Sequence, residues 1–411
     1  MAAEPLLPMS ERVVIVGAGQ AAAQAIASLR AEGFAGSLTL VGDEPFIPYQ
    51  RPPLSKTYLM GTLERERLFL KPEQFYAESK CTLILGVPAV RIDRTKKEVA
   101  LKDGRALGYD KLLLATGSRV RKITCPGAGL AGIHYLRGIE DVDQLRAAFA
   151  RIRTLAIVGG GYIGLEVAAV AKKAGLAVTV FESLDRLMAR AVSEPVSRFY
   201  EDVHRGAGVN LMLNTNVEAF EGRERLEAVR AGGVSHKAEL ALVCIGIVPN
   251  VELAKESGLE CADGIVVAAD CSCTNDPAIF AAGDCTRHVG REGVAIRLEC
   301  VQNAIDQAKH AALGMVGKPK PYREVPWFWS DQYDLKLQIA GLPRPTDRIV
   351  VRGDPATRKF AAFHLRDGVL AAVESVNAAP EYLMGRRLIG EGAKVSPERL
   401  ADTAIPMKNI I

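Results

Sequence analysis

Apolar residues run unbroken over 13–16 (VVIV) and again over 155–158 (LAIV), and each run stops at a glycine. Runs this short and this continuous suit strands buried on both faces, as in parallel sheets. Each is followed by a segment with helical spacing of its apolar positions, 20–31 in the first case and the stretch opening at Tyr162 in the second. A second apolar strand then follows each helix, at 37–44 and at 176–182. The chain therefore carries two βαβ units that start about 140 residues apart, two copies of one architecture and not a short solenoid repeat.

The remaining pattern fills in between them. Residues 45–61 hold four prolines, at 45, 48, 52 and 53, so no regular structure is expected there; a loop that stiff holds something in place. Residues 81–118 read as several strands with a turn at Lys102-Asp103-Gly104. Helices are expected over 141–152, 195–206 and 300–316. An apolar strand spans 238–250, and two strands lie within 264–284. From about 320 the βα rhythm stops and strand-like segments alternate with turns, which marks a separate α+β region. The fold class is α/β: two Rossmann-like dinucleotide-binding domains followed by a C-terminal α+β domain.

The glycines that end the first strands carry chemistry. Gly17-x-Gly19-x-x-Ala22 and Gly159-x-Gly161-x-x-Gly164 both match the dinucleotide fingerprint. The first glycine makes a tight turn, the second lets a pyrophosphate approach the backbone, and the small third residue lets helix and strand pack closely. The helix N-terminus then offers free N–H groups and a favourable dipole to the phosphates. An acidic residue belongs at the end of the next strand, on a ribose hydroxyl. Asp43, or failing that Glu44, fills that place in the first unit and Glu182 in the second. A carboxylate at 182 accepts from the 2′-hydroxyl of NADH and repels the 2′-phosphate of NADPH; Arg186 and Arg190 nearby soften that discrimination. Two dinucleotides in one chain suggest bound FAD taking hydride from a visiting NADH. LLLATGS (112–118) and TNDPAIFAAGD (274–284) fit FAD at the first unit. Asp284 would bond the ribityl chain, and the helix starting near Val301–Gln302 would point its positive end at the flavin pyrimidine edge.

Bulk properties narrow the classes. The net charge is +4 over 411 residues, and no Lys/Arg block is long enough for nucleic acid. No apolar run reaches about 18 residues, so no membrane span is expected. MAAEPLLPMSER at the N-terminus lacks a basic start and an apolar core, so no signal peptide is read and a cytoplasmic location follows. Eight cysteines include no CxxC, which leaves a thiolate metal site or cluster without support. Cys271-x-Cys273 is either a pair of incidental thiols or a redox pair. No histidines have metal-ligand spacing, and His310 and His364 read as surface or core residues.

With VGDEPFIPYQRPPLSK (41–56), LLLATGSRVR (112–121), IVGGGYIGLEVAA (157–169), IFAAGD (279–284), ECVQNAIDQAK (299–309) and VPWFWSDQ (325–332) in place, the chain resembles the FAD-dependent pyridine-nucleotide:disulfide-oxidoreductase superfamily. More narrowly it is similar to bacterial ferredoxin reductases of the putidaredoxin-reductase type, which serve cytochrome P450 and ring-hydroxylating dioxygenase systems. The resemblance covers nearly the whole chain, and its specific segments are RPPLSK and PWFWSDQ. It implies an FAD domain formed by 1–119 and 245–319, an NADH domain over 120–244 and a third domain over 320–411. It places Arg51 on FAD phosphate or adenine ribose and Lys56 near flavin N5, where the alternative is a solvated basic pair on a loop. Glu166 either complements a helix N-terminus or reaches the nicotinamide pocket and pairs with Lys56 across a domain cleft. Trp329 either belongs to the core or lines the electron exit route. Ala115, Thr116, Gly117, Gly246, Tyr162, Ile163 and Arg190 complete the expected cofactor contacts.

Disulfide reductases of this fold keep a redox-active cysteine pair beside the flavin, and this chain has none in that pattern. Electrons would then leave the flavin directly, for a [2Fe–2S] ferredoxin that feeds a terminal oxygenase. Residues 320–411 hold 14 Lys/Arg and 11 Asp/Glu, an excess too small to mark a docking face; Arg344, Arg386 or Arg387 would either help an acidic ferredoxin dock or simply be solvated. The competing classes are a redox switch resembling apoptosis-inducing factor, an NADH oxidase or peroxidase, and a rubredoxin reductase.

Overall fold

The computed structural model describes residues 11–411; the N-terminal segment read for a signal peptide lies almost wholly outside them. The chain forms two compact units. The first takes the chain up to Gln50, Glu66–Arg119 and Pro249–Glu324, and the second takes Arg51–Arg65, Val120–Val248 and Val325–Ile411.

The first unit is built on a six-stranded sheet in the order Ser272–Cys273, Asp276–Ala281, Lys111–Leu114, Arg12–Val16, Ser37–Val41 and Cys81–Ile84. Its pairings are parallel except at the Ser272–Cys273 edge. Both faces are covered, which is why the inner strands run apolar without alternation over Val13–Val16 and Leu112–Leu114, while Ser37–Val41, nearer the edge, alternates Ser37 and Thr39 with buried Leu38 and Leu40. Val13, Ile15, Leu38, Leu40 and Leu113 join one core with the helices Gln20–Ala31 and Val301–Met315, and Val14, Val16, Leu112 and Leu114 join another on the opposite face. Alanines at 21, 22, 25, 304, 308, 311 and 312 lie in the first of these cores, so the two helices approach closely.

The second unit repeats the plan. Strands Asn210–Met212, Ala177–Phe181, Thr154–Val158, Leu240–Val243 and Ile133–His134 pair in that order, all parallel. The helix Tyr162–Lys173 buries eight of its residues, from Gly164 through Ala171. The C-terminal part is a five-stranded antiparallel sheet, Trp327–Gln332, Leu335–Gly341, Val369–Val376, Lys359–Arg366 and Arg348–Asp354 in spatial order. The helix Ala379–Glu391 shares a core with this sheet.

Three local expectations change. The strand read over 238–250 is two strands, Leu240–Val243 and Ile247–Pro249, separated where Gly246 takes a φ of 100°. The two strands read over 264–284 are three short ones, Ile265–Val266, Ser272–Cys273 and Asp276–Ala281, with Cys271 in the left-handed region between the first two. The loop 45–61 contains a 3₁₀ turn, Pro52–Ser55. Proline ends helices, but at a first helical position its fixed φ and missing N–H cost nothing. Among the described residues no helix is long and apolar enough to cross a membrane.

Gly385 sits where the Ala379–Glu391 helix meets the sheet: a Cβ there would lie 2.7 Å from Val373 Cγ1. Val373 is fully buried and has no room to yield. Gly385→Leu should therefore destabilise the protein by about 1–3 kcal/mol, read as a lowered melting temperature; an unchanged melt would contradict this packing.

Candidate functional site

The two glycine turns are near copies. Gly17 and Gly159 both have a φ of 105°, a region open to glycine and strained for other residues. A Cβ on Gly17 would lie 2.1 Å from the Ala115 carbonyl oxygen, and one on Gly159 would lie 2.4 Å from that of Cys244. Each glycine N–H is used by the sheet, Gly17 donating to Val41 O and Gly159 to Phe181 O, both at 2.8 Å. Gly19 and Gly161 are the N-caps of their helices, with no side-chain cap. A Cβ on either would meet nothing within 4 Å. The space above both turns is thus open, and uncapped N–H groups face it, which fits the pyrophosphate of a dinucleotide at each. Gly164 supports the second turn: a Cβ there would sit 2.3 Å from Gly159 O. Buried Ala22 takes that place in the first.

The acidic partners differ. Glu182 is folded onto its own turn, accepting from the N–H groups of Gly160 at 2.7 Å and Leu184 at 2.9 Å. Arg186 spends its guanidinium on the carbonyls of Ala189 and Val192, both at 2.9 Å, while Arg190 is exposed. Asp43 is exposed at the end of its strand, and Glu44 accepts from the Tyr49 hydroxyl. In the first unit the Ala115-Thr116-Gly117 turn is locked by Asn250, whose side-chain amide donates to Thr116 O at 2.9 Å while Thr116 Oγ1 donates to Asn250 O at 2.7 Å. Asp284 accepts from Ser118 Oγ at 2.7 Å. Next to it, Gly283 N donates to Gln307 Oε1 at 2.8 Å. The helix behind begins at Val301 with Cys300 as its N-cap, where the sequence placed it.

The second unit also buries a charge. Glu166 is 4% exposed. Lys56 Nζ lies 2.8 Å from its Oε2, Ser55 Oγ donates to the same oxygen, and Ser330 Oγ donates to Oε1 at 2.7 Å. The Lys56–Glu166 pairing expected from the resemblance is present, and both members lie within the second unit. Ser55 and Ser330 were not read from the sequence; nothing local distinguishes them from other serines. Lys56 also donates to Pro52 O at 3.1 Å, and Arg51 donates to Arg137 O at 2.6 Å.

Tyr162 stacks on Phe328 with ring centroids 4.5 Å apart, and Trp329 is 5.7 Å from Trp327. Burial raises the Tyr162 hydroxyl well above its ordinary pKa. Ile163 is partly open at the start of its helix.

All eight cysteines are free. Cys271 and Cys273 are buried, and burial pushes the Cys273 thiol up to about 12 and the Cys271 thiol higher still. That burial disfavours a thiolate at either position, which fits the incidental-thiol reading of the pair. Among the described residues no cluster of side chains could hold a metal ion.

Known proteins resemble this chain over nearly its whole length. The pyridine nucleotide-disulphide oxidoreductase family model matches residues 11–311, and a reductase C-terminal model matches 327–411. Rhodocoxin reductase of Rhodococcus erythropolis is 45% identical, over 96% of this chain and 93% of that protein. The ferredoxin–NAD(+) reductase component of the anthranilate 1,2-dioxygenase system of Burkholderia cepacia is 40% identical, over 97% of this chain and 98% of that one. The solved structure of a covalent putidaredoxin reductase–putidaredoxin complex superposes with a TM-score of 0.94 at 40% identity, covering 97% of this chain and 98% of that chain.

The open Cβ position at Gly161 separates folding from binding. Gly161→Ala should leave the melting temperature unchanged and weaken NADH binding about ten-fold or more, a loss near 1.4 kcal/mol, by intruding where the pyrophosphate approaches. Gly159→Ala should lower the melting temperature as well. Titration of NADH against each variant, with thermal melts alongside, checks both.

Proposed function

The chain belongs to the pyridine nucleotide-disulphide oxidoreductase family, and we propose that it is an FAD-dependent NADH:ferredoxin reductase that supplies a cytochrome P450 or ring-hydroxylating dioxygenase through a [2Fe–2S] ferredoxin. Bound FAD takes two electrons together as hydride and gives them up singly, which is what joining a nicotinamide donor to an iron–sulfur acceptor requires. The observation that carries the reading is the pair of matching open glycine turns, in a chain whose cysteines offer no dithiol relay.

In this reading Gly17, Gly19 and Ala22 hold the FAD pyrophosphate. Asp43, Arg51, Ala115, Thr116, Gly117, Gly246, Asp284 and Val301 complete the FAD contacts. The N-terminus of the Val301–Met315 helix would offer its positive dipole end to the flavin. Gly159, Gly161, Tyr162, Ile163 and Gly164 hold NADH, with Glu182 on its ribose and Arg190 at the rim. Lys56 would lie near flavin N5, and Glu166, paired with it, would reach the nicotinamide. Hydride transfer needs alignment more than proton traffic, so holding the donor in place is the protein's main contribution. Trp329 lines the electron exit route. The division into an FAD domain (1–119 and 245–319), an NADH domain (120–244) and a C-terminal domain (320–411) belongs to the same proposal. A cytoplasmic location does too, supported by eight unpaired thiols, which suit a reducing compartment.

The test is anaerobic stopped-flow reduction with NADH, followed by mixing with ferredoxin or with air. Rapid ferredoxin reduction with slow oxygen uptake is expected. A long-lived charge-transfer band indifferent to ferredoxin would instead identify a redox switch, and efficient transfer to rubredoxin alone would change the acceptor.

Glu182 yields a second expectation. Glu182→Gln keeps an acceptor for Gly160 N–H, gives up the one for Leu184 N–H, and removes the charge that faces a 2′-phosphate. The preference for NADH over NADPH, as the ratio of kcat/KM values, should fall about ten-fold. An unaltered ratio would remove Glu182 from the ribose site.

A further inference from the structure

Ser330 is the last member of a longer row of hydrogen bonds within the second unit. Tyr333 Oη lies 3.2 Å from His204 Nδ1, and His204 Nε2 lies 2.9 Å from Gln332 Oε1. Gln332 Nε2 lies 3.2 Å from Ser330 Oγ, which donates to Glu166 Oε1 at 2.7 Å. His204, Gln332 and Ser330 are fully buried. Tyr333 is half-buried and lines a surface cleft with Arg198, Phe199, Asp202 and Arg358.

The direction of every bond follows from the donors. Burial brings His204 down to about 4, so its ring is neutral and carries one N–H. The Gln332 carbonyl can only accept, which puts that N–H on Nε2 and leaves Nδ1 to accept. Burial pushes the Tyr333 hydroxyl up to about 12, so it stays protonated and donates to Nδ1. Ser330 accepts from the Gln332 amide, whose nitrogen also reaches Met188 Sδ at 4.0 Å, and passes its own proton toward the carboxylate. All four donors therefore point the same way. Aligned bonds in a low-dielectric interior polarise one another, with the positive end of the row at Glu166.

The geometry points to Tyr333, His204, Gln332 and Ser330 as one positioning device that fixes the Glu166 carboxylate, holding Oε1 so that Oε2 is presented to Ser55 and Lys56. The inference rests on the placement of Lys56 and Glu166 at the hydride-transfer step. It also gives a role to Ser330 and Gln332 of the PWFWSDQ segment, of which the function so far uses only the tryptophan at 329. An apolar row of the same size would pack as well at less cost to folding; what it could not do is orient a carboxylate.

The test is a mutant cycle on the FAD-loaded protein with three readouts: the rate of flavin reduction at saturating NADH, the charge-transfer absorbance of the reduced complex, and the melting temperature. His204→Leu should slow reduction about five-fold, the usual worth of one buried neutral hydrogen bond, and weaken the charge-transfer absorbance. His204→Gln, which can still donate toward Gln332, should restore most of both. Tyr333→Phe, which keeps its ring and should fold normally, should slow reduction roughly two-fold by removing only the outer bond. In a Glu166→Gln background, neither His204→Leu nor Tyr333→Phe should slow reduction further. The proposal is overturned if His204→Leu lowers the melting temperature but leaves rate and absorbance unchanged, or if its effect is equally large in the Glu166→Gln background. Glu166→Gln reducing at the wild-type rate is a separate outcome: it would remove Glu166 from hydride transfer and the positioning device with it.

Discussion

A carboxylate buried on the Tyr162–Lys173 helix sets the terms for the second unit. An ionised group taken out of water costs several kcal/mol unless paired and hydrogen-bonded, and Glu166 draws its partners from two other parts of the chain. Lys56 and Ser55 come from the proline-braced loop and Ser330 from the first strand of the C-terminal sheet. Without Lys56 the charge would be stranded, so the pair constrains the loop as much as it stabilises the helix. Further bonds fix the same loop: Arg51 to Arg137 O, and Tyr58 and Arg65 to Asp143 at 2.8 and 2.7 Å. Residues 51–65 therefore fold with the second unit although the chain on both sides of them belongs to the first.

The C-terminal sheet carries a second set of buried charges. Glu374 accepts from Ser193 N at 2.9 and 3.1 Å and from the Ser193 hydroxyl. Ser193 is the N-cap of the Glu194–Gly206 helix, but its hydroxyl makes no capping bond there; it serves the sheet. Because the loop from Glu182 to Ser193 carries Arg186 and Arg190, this anchor also fixes one end of the segment beside the proposed ribose site. Asp347 is held in turn by Arg366 at 2.8 and 2.9 Å and by Arg344 N at 2.9 Å. Through Glu374 the antiparallel sheet joins the parallel-sheet part of its unit by specified polar contacts, while Asp347 braces the antiparallel sheet itself.

How far the sequence disclosed this depends on range. The glycine turns were legible because their requirements are local: a positive φ at Gly17 and Gly159, an open face at Gly19 and Gly161, a close approach at Gly164. Continuous apolar strands and the helix starting at Val301 were legible for the same reason. The split at Gly246 was not, since one glycine inside an apolar run is compatible with a bulge, a kink or nothing at all. The Lys56–Glu166 pair joins positions 110 residues apart and came only from the family resemblance. Ser55, Asn250 and Ser330 had no signal of any kind. Nor did the row through His204, because the histidine belongs to a helix whose spacing reads as ordinary amphipathic pattern and its partners lie more than a hundred residues away.

The two cradles also show one backbone device braced in two different ways. In the second, the acidic residue is tied to its own turn, Glu182 accepting from the Gly160 N–H. A turn braced by its own side chain loses little freedom when a ligand binds. In the first, Asp43 stands outward, and order comes from several distant segments: the Ala115 carbonyl behind Gly17, Asn250 across Thr116, and Gln307 beneath Gly283. Adjacent parallel strands end together there, Val16 beside Val41 and Leu114, and that carboxyl edge is where open α/β sheets bind their ligands. A ligand seated there would be slow to leave, because release would require several of these segments to give way together. The asymmetry between a turn tied to its own side chain and a many-sided cradle fits the proposed placing of a resident flavin at the first site and a visiting nicotinamide at the second.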